Sequence, residues 1–281
     1  MKFAKMQANG NDFIIIDNRE DRYEDTTLRE ITVKACRRRL SLGANGLMAV
    51  QAPSKAGSHF GMRFFNRDGS ESAMSGNGAR CIARYAFEKG IAPQRMRFDT
   101  IGGALDAIVE DSKVTLDTGT IDTSRIILDE SFSHMGETFP VNHLELGHGS
   151  EAAPHTVVFL EKSDWRPLET LAPFARALQK NASKFPDGTN VNFLKILGHG
   201  ALEVYTYERG VDDFTLSCGS GSIAAAVAAW LNGWCDSPVE VYNPGGTNTI
   251  LLEEAAPSLL DVKLQGLTAF IAEGELLPDG L

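Results

Sequence analysis

Several things are missing from this 281-residue chain, and each absence narrows its function. No run of about 18 apolar residues occurs, so no membrane-spanning helix is expected. Basic side chains are in deficit: 27 Lys and Arg face 37 Asp and Glu, for a formal net charge of −10. A nucleic-acid backbone or an anionic membrane would repel that surface, so neither is expected as a partner. The opening "MKFAKMQANG" lacks the apolar stretch of a signal peptide. There are only four cysteines (Cys36, Cys81, Cys218, Cys235), and none shows metal-ligand spacing. Without a secretion signal they read as reduced thiols of a cytoplasmic protein. No P-loop lysine, no GxGxxG after a first strand and no Schiff-base lysine context is present, so the expectation is no cofactor and no metal.

What the chain does have is itself, twice. The offset from Ser75 to Cys218, 143 residues, also aligns Gly76 with Gly219, Gly78 with Gly221, Ala83 with Ala226 and Gly90 with Gly233. Gly102-Gly103 falls on Gly245-Gly246, and Glu110 on Glu253. Each half reads alike. An alternating strand ("GMRFFN", 61–66, or "ALEVYTY", 201–207) leads through a polar loop to a Gly-rich turn. A helix follows, over 79–89 or 221–232, ending at a glycine where a C′ glycine belongs. Another strand, a Gly-Gly pair and a hairpin partner complete the unit. The second helix, "SGSIAAAVAAWLNG", is apolar nearly all round and must be enclosed.

The pattern predicts an α+β protein of two similar pseudo-symmetric domains, each a curved, mostly antiparallel sheet wrapped around a central helix. The first is expected over 1–120, joined by a C-terminal strand at about 268–281, and the second over 121–267. Strands are expected at "DFIIID" (12–17) and "HTVVFLE" (155–161) as well.

A Gly-x-Gly turn at a helix N-terminus exposes successive backbone N–H groups, an anion site by geometry and dipole. Alone it is a weak signal, since a tight strand-to-helix connection looks the same. The pairing strengthens it. If the domains face each other about a pseudo-two-fold axis, Ser75 and Cys218 confront one another across a single cleft. A thiol at a helix N-terminus is expected to have its pKa lowered to roughly 3.5–7.5. Two thiols so placed can remove a proton from one face of a carbon and supply one to the other, while backbone amides hold a carboxylate.

These stretches resemble the diaminopimelate epimerase family, within the wider group of cofactor-independent amino-acid racemases. "KMQANGNDFIIID" is similar to the family's N-terminal signature and places Asn11 on its substrate-binding asparagine. "FFNRDGSESAMSGNGARC" gives Asn66, Gly76 and Asn77; "FPDGTNVNF" gives Asn190; "YERG" gives Glu208 and Arg209. "SCGSGS" gives Cys218, Gly219 and Ser220, and "NPGG" matches a later turn. The resemblance implies inversion of the α-carbon of LL-diaminopimelate to the meso form, in lysine and peptidoglycan biosynthesis. It implies no pyridoxal phosphate, a small amino-acid substrate, a homodimer and a pair of cysteine bases. His155, a structural histidine on a strand edge by default, becomes a candidate orienter of a catalytic thiol together with Glu208.

The chain departs from the family at the first base, where Ser75 replaces cysteine. A serine hydroxyl is far less acidic than a thiol, so Ser75 is expected to be a poor base. Both a deliberate change that traps the enzyme and a native serine in an altered relative fit this. Ala153 stands where an asparagine would contact the distal end of diaminopimelate, Gly46 where a glutamine is expected, and Arg67 where a small residue is usual. The alternatives are an epimerase or racemase of another amino acid, and a non-catalytic amino-acid-binding relative. The related phenazine-biosynthesis type of isomerase dispenses with cysteines, and Cys218 argues against it.

Overall fold

The computed structural model describes residues 1–20, 23–146, 153–161 and 167–281. It divides into two compact units, Met1–Asp117 with Gln265–Leu281, and Thr118–Leu264.

The first unit contains β1 (Lys2–Ala8), β2 (Asn11–Asp17), α1 (Asp25–Ala35), β3 (Gly46–Gln51) and β4 (Phe60–Asn66). It continues through β5 (Glu71–Ser72), α2 (Gly76–Glu88), β6 (Arg95–Thr100) and β7 (Gly103–Glu110). The chain passes along β8 (Lys113–Asp122) into the second unit. There it forms β9 (Ile127–His134), β10 (Glu137–Leu146), β11 (Ala153–Phe159), α3 (Leu168–Gln179), β12 (Asn190–Gly198) and β13 (Ala201–Glu208). Then come β14 (Asp213–Phe214), α4 (Gly219–Leu231), β15 (Val239–Asn243), β16 (Gly246–Ala256) and β17 (Leu259–Leu267). The last strand, β18 (Ala269–Glu275), returns to the first unit and pairs antiparallel with β1.

Strand pairing shows the duplication directly. In the first unit β2 pairs parallel with β3 across α1, β3 antiparallel with β4, and β4 parallel with β6 across α2. In the second, β11 pairs parallel with β12 across α3, β12 antiparallel with β13, and β13 parallel with β15 across α4. Parallel neighbours need a crossover, and the helices supply it.

The run "FIIID" in β2 lacks polar alternation because both faces of the strand are covered. Phe13 and Ile15 pack with α2 around Ile82 and Ala83, while Ile14 and Ile16 pack with α1 around Leu28 and Ile31. The second unit does the same: Val157 and Leu194 join the alanines of α4, and Val158, Val191 and Phe193 join Phe174 and Leu178 of α3. The central helices match the sequence reading. The outer helices α1 and α3 lie outside the repeat unit read from the sequence; their amphipathic stripes are short, and α3 carries an internal proline, Pro173.

Both central helices begin earlier than their expected starts at 79 and 221, because residues 75 and 218 are themselves the N-caps. Their C-terminal ends behave as expected. Gly90 and Gly233 adopt left-handed φ of 67° and 71°, the C′ conformation that a side chain disfavours. Among the described residues no helix is long and apolar enough to cross a membrane.

Candidate active site

In the second unit Cys218 caps α4. Its backbone is extended (φ −115°, ψ 117°), and its Sγ accepts from the Gly221 N–H at 3.3 Å and lies 3.4 Å from Ser220 Oγ. Sulfur therefore occupies the place an N-cap oxygen normally takes. The turn is clamped from behind. The Ser222 hydroxyl donates to the Cys218 carbonyl (3.0 Å), and Asn248 Nδ2 donates to Ser222 Oγ (3.0 Å) and Ser217 Oγ (3.3 Å).

The lowered thiol pKa expected from the helix terminus is not found. Burial, joined by the negative charge of Glu208, pushes Cys218 up to about 12, against the Ser220 and Gly221 hydrogen bonds that favour the thiolate. Desolvation of a nearly enclosed sulfur outweighs a partial dipole charge. Burial also raises the Glu208 carboxyl above its ordinary value. Both shifts favour the protonated form of the group. Replacing Glu208 by Gln removes the charge that opposes thiolate formation. Alkylation of Cys218 by iodoacetamide at mildly alkaline pH is then expected to accelerate; a slower rate in Glu208→Gln would contradict the charge argument.

Asn190 opens β12, and its Oδ1 accepts from the Arg209 backbone N–H at 2.9 Å. This bond ties the Glu208–Arg209 corner at the end of β13 to the neighbouring strand. The Arg209 guanidinium donates to the Asp187 carbonyl at 3.3 Å. His155 lies in β11, fully buried, with Nδ1 3.2 Å from Asn192 Nδ2 and Nε2 3.5 Å from Asn190 Nδ2. Its ring nitrogens therefore face amides of β12, not the Cys218 thiol. Burial, with the charge of Arg209 adding to it, pushes the imidazole down to about 3, so it is neutral. The unfolded chain binds a proton at this histidine below its ordinary value of 6.5, while the folded chain does not until about 3. Stability is accordingly full above 6.5 and declines as pH falls through that window. Melting temperature should drop with acidification over this range, and His155→Gln should flatten the drop.

In the first unit Ser75 caps α2 in the same extended geometry (φ −137°, ψ 119°), its Oγ accepting from Gly78 N–H at 3.3 Å. Asn66, at the end of β4, donates through Nδ2 to Ser70 Oγ at 3.1 Å. Asn11 begins β2, and its Oδ1 is buried yet accepts no hydrogen bond among the described residues. An unsatisfied buried acceptor is costly, and here it favours a ligand donor. The Asn77 side chain turns inward, its Oδ1 accepting from Nη2 of the fully buried Arg80 at 2.7 Å. The backbone amides of Gly76, Asn77, Gly219 and Ser220 lie in the first turns of α2 and α4, where no intrahelical acceptor exists for them.

Two departures are resolved differently. Gly46 cannot stand in for a lost glutamine: a Cβ there would lie 2.5 Å from the Phe65 carbonyl oxygen and 2.5 Å from a Phe64 ring carbon. Packing requires glycine at that position, and it says nothing about the substrate. Ala153 is half-buried at the start of β11; Ala152 lies outside the described residues. The sequence reading also passed over Asn192, Thr206 and Asn248. The signal was present in "TNVNF", where asparagines recur at period two on a strand otherwise made for a core.

The fold is shared with solved structures of low sequence identity. The chain superposes on a phenazine biosynthesis protein of the PhzF family from Bacillus anthracis (TM-score 0.73, 14% identity, 99% of both chains). It also superposes on a hydroxyproline epimerase from Agrobacterium vitis with bound trans-4-OH-L-proline (TM-score 0.72, 15% identity, 100% of this chain and 93% of that one). These likenesses show a shared fold. The family model for diaminopimelate epimerase matches residues 3–123 and 148–264. A diaminopimelate epimerase of Archaeoglobus fulgidus is 38% identical over 263 residues, covering 90% of this chain and 89% of its own. One from a Hydrogenobaculum species is 34% identical over 287 residues, covering 98% of each. The chain belongs to the diaminopimelate epimerase family and, as a member, is an isomerase.

Proposed function

We propose that this isomerase acts at the α-carbon of diaminopimelate, between the LL and meso forms, without pyridoxal phosphate. The observation that carries the reading is the pair of matching N-caps: a thiol held by Gly221 N–H on one helix and a hydroxyl held by Gly78 N–H on the other. In this reading the first-turn amides of α2 and α4 bind the substrate carboxylate and take up charge as the α-carbon loses its proton. Asn11 Oδ1 accepts from the substrate ammonium. The two-base reading assigns the two faces of the carbon to Cys218 and Ser75. Cys218 abstracts a proton on its own face as the thiolate and returns one as the thiol. Ser75 gives up no proton at neutral pH, so its face is nearly silent. Lysine biosynthesis, a cytoplasmic setting and a homodimer follow as parts of the same proposal.

The test is solvent exchange. In deuterated water, NMR of diaminopimelate stereoisomers should show label entering the α-position of one configuration with little net inversion. Rapid inversion in both directions would defeat the assignment of Ser75. Tight binding without exchange would favour a non-catalytic amino-acid-binding protein. Ala153 supports a second reading, an epimerase or racemase of an amino acid lacking the distal polar group. Exchange on such an amino acid in preference to diaminopimelate would establish it.

A further inference from the structure

We infer that Asn192 and Thr206 are positioning residues for Cys218: together they form the platform on which the thiol-capping turn rests. The inference rests on the proposed proton-transfer role of Cys218. Gly221, whose N–H caps the sulfur, sits directly on these two side chains. A Cβ added there would lie 2.4 Å from Asn192 Oδ1 and 2.6 Å from Thr206 Oγ1, closer than packed atoms approach. The amide donor aimed at Cys218 Sγ is thus placed by the heights of one carboxamide and one hydroxyl.

The platform has a fixed orientation. Asn192 Oδ1 accepts from the Thr206 hydroxyl at 2.9 Å, and Asn192 Nδ2 donates to the Thr156 carbonyl at 3.2 Å, with the Asn190 carbonyl 3.5 Å away. Turning the amide over would set its oxygen against two carbonyl oxygens. Nδ2 also faces His155 Nδ1 at 3.2 Å, which makes that nitrogen the acceptor and joins the neutral ring to the same network.

The duplication supplies an internal control. Strand register makes Phe13 the counterpart of His155, Met48 that of Asn192, and Phe64 that of Thr206. Under α2, Gly78 therefore rests on Met48 and Phe13, where an added Cβ would meet Met48 Cε at 1.7 Å and Phe13 Cζ at 3.3 Å. The same fold closes with an apolar trio in that unit, so a polar trio is no requirement of the architecture. Buried polar groups need exact partners to avoid a stability penalty. His155, Asn192 and Thr206 are 0%, 0% and 2% exposed, and they lie only beneath the cysteine. Their arrangement holds the Gly221 hydrogen bond to the sulfur in a geometry an apolar floor would not define.

The experiment compares Thr206→Val, which keeps the volume and removes the hydroxyl, with Thr206→Ser, which keeps the hydroxyl, and with Asn192→Ala. The first readout needs no substrate: the iodoacetamide rate at Cys218 against pH, followed by peptide mass spectrometry. The second is the kcat and KM of α-proton exchange. Thr206→Val should alkylate about tenfold more slowly at fixed pH, as a rise of about one pKa unit requires. Its exchange kcat should fall about tenfold with KM within about twofold, and Thr206→Ser should restore both to within about twofold. Asn192→Ala should shift the alkylation profile the same way; if it does not accumulate as folded protein, the Thr206 pair decides. A Thr206→Val protein with parental alkylation profile, kcat and melting temperature would overturn the inference. So would a Thr206→Ser protein as impaired as Thr206→Val. If the parent exchanges no amino-acid proton at all, the proposed function fails while the alkylation profiles still judge the platform.

Discussion

Ser75→Cys should convert one-sided proton exchange into net inversion, raising the inversion rate by about 10²–10⁴-fold, the range a well-placed acid or base contributes. The substitution is small and the site is prepared for it. Position 75 already holds the extended backbone of an N-cap and already accepts from Gly78 N–H, as Cys218 accepts from Gly221 N–H. Sulfur needs only a slightly longer contact than oxygen. The helix is not at risk, because a sulfur cap is shown to be compatible with it in the other unit. Inversion would be followed by chiral chromatography or by NMR of the LL and meso forms. An unchanged rate in a folded Ser75→Cys protein would discredit the pairing of the two caps on one carbon.

The second large effect concerns handedness. The double variant Ser75→Cys/Cys218→Ser moves the only cap thiol from one helix to the other. Label from deuterated water should then enter the stereoisomer that the parent leaves untouched. The single variant Cys218→Ser should lose exchange by about 10²–10⁴-fold while keeping its helix cap, since serine is among the preferred N-cap residues. Melting temperature separates that loss from unfolding. Exchange on the same stereoisomer in both parent and double variant would show that the two caps do not address opposite faces. The floor beneath α2 is apolar and that beneath α4 is polar, so the relocated thiol should also be the slower of the two.

Much of this was legible in the sequence because duplication repeats conformational requirements, not just chemistry. Gly90 and Gly233 mark helix ends that need a left-handed residue, and they recur at the same offset as the caps. The strands "GMRFFN" and "ALEVYTY" were located to within a residue because alternation is a local property. The electrostatics were not local. A helix N-terminus lowers a thiol pKa, but burial and Glu208 enter only once β13 and α4 are packed together, and they reverse the sign. Asn77 is a similar case: its motif assigns it to the substrate, yet its side chain is engaged by Arg80 three residues on. Asn192 and Thr206 escaped notice because their importance lies in what rests on them, and contact across two strands and a helix leaves no signature in spacing.

The antiparallel pairing of β1 with β18 carries a consequence for biosynthesis. The second unit is one uninterrupted segment, whereas the first is completed by residues made after it. As the polypeptide leaves the ribosome, the opening strand must wait, with one edge bare, through the translation of everything between. The later-made unit can finish folding before the earlier one, and the unit carrying Ser75 closes only after the whole of the second unit has been made.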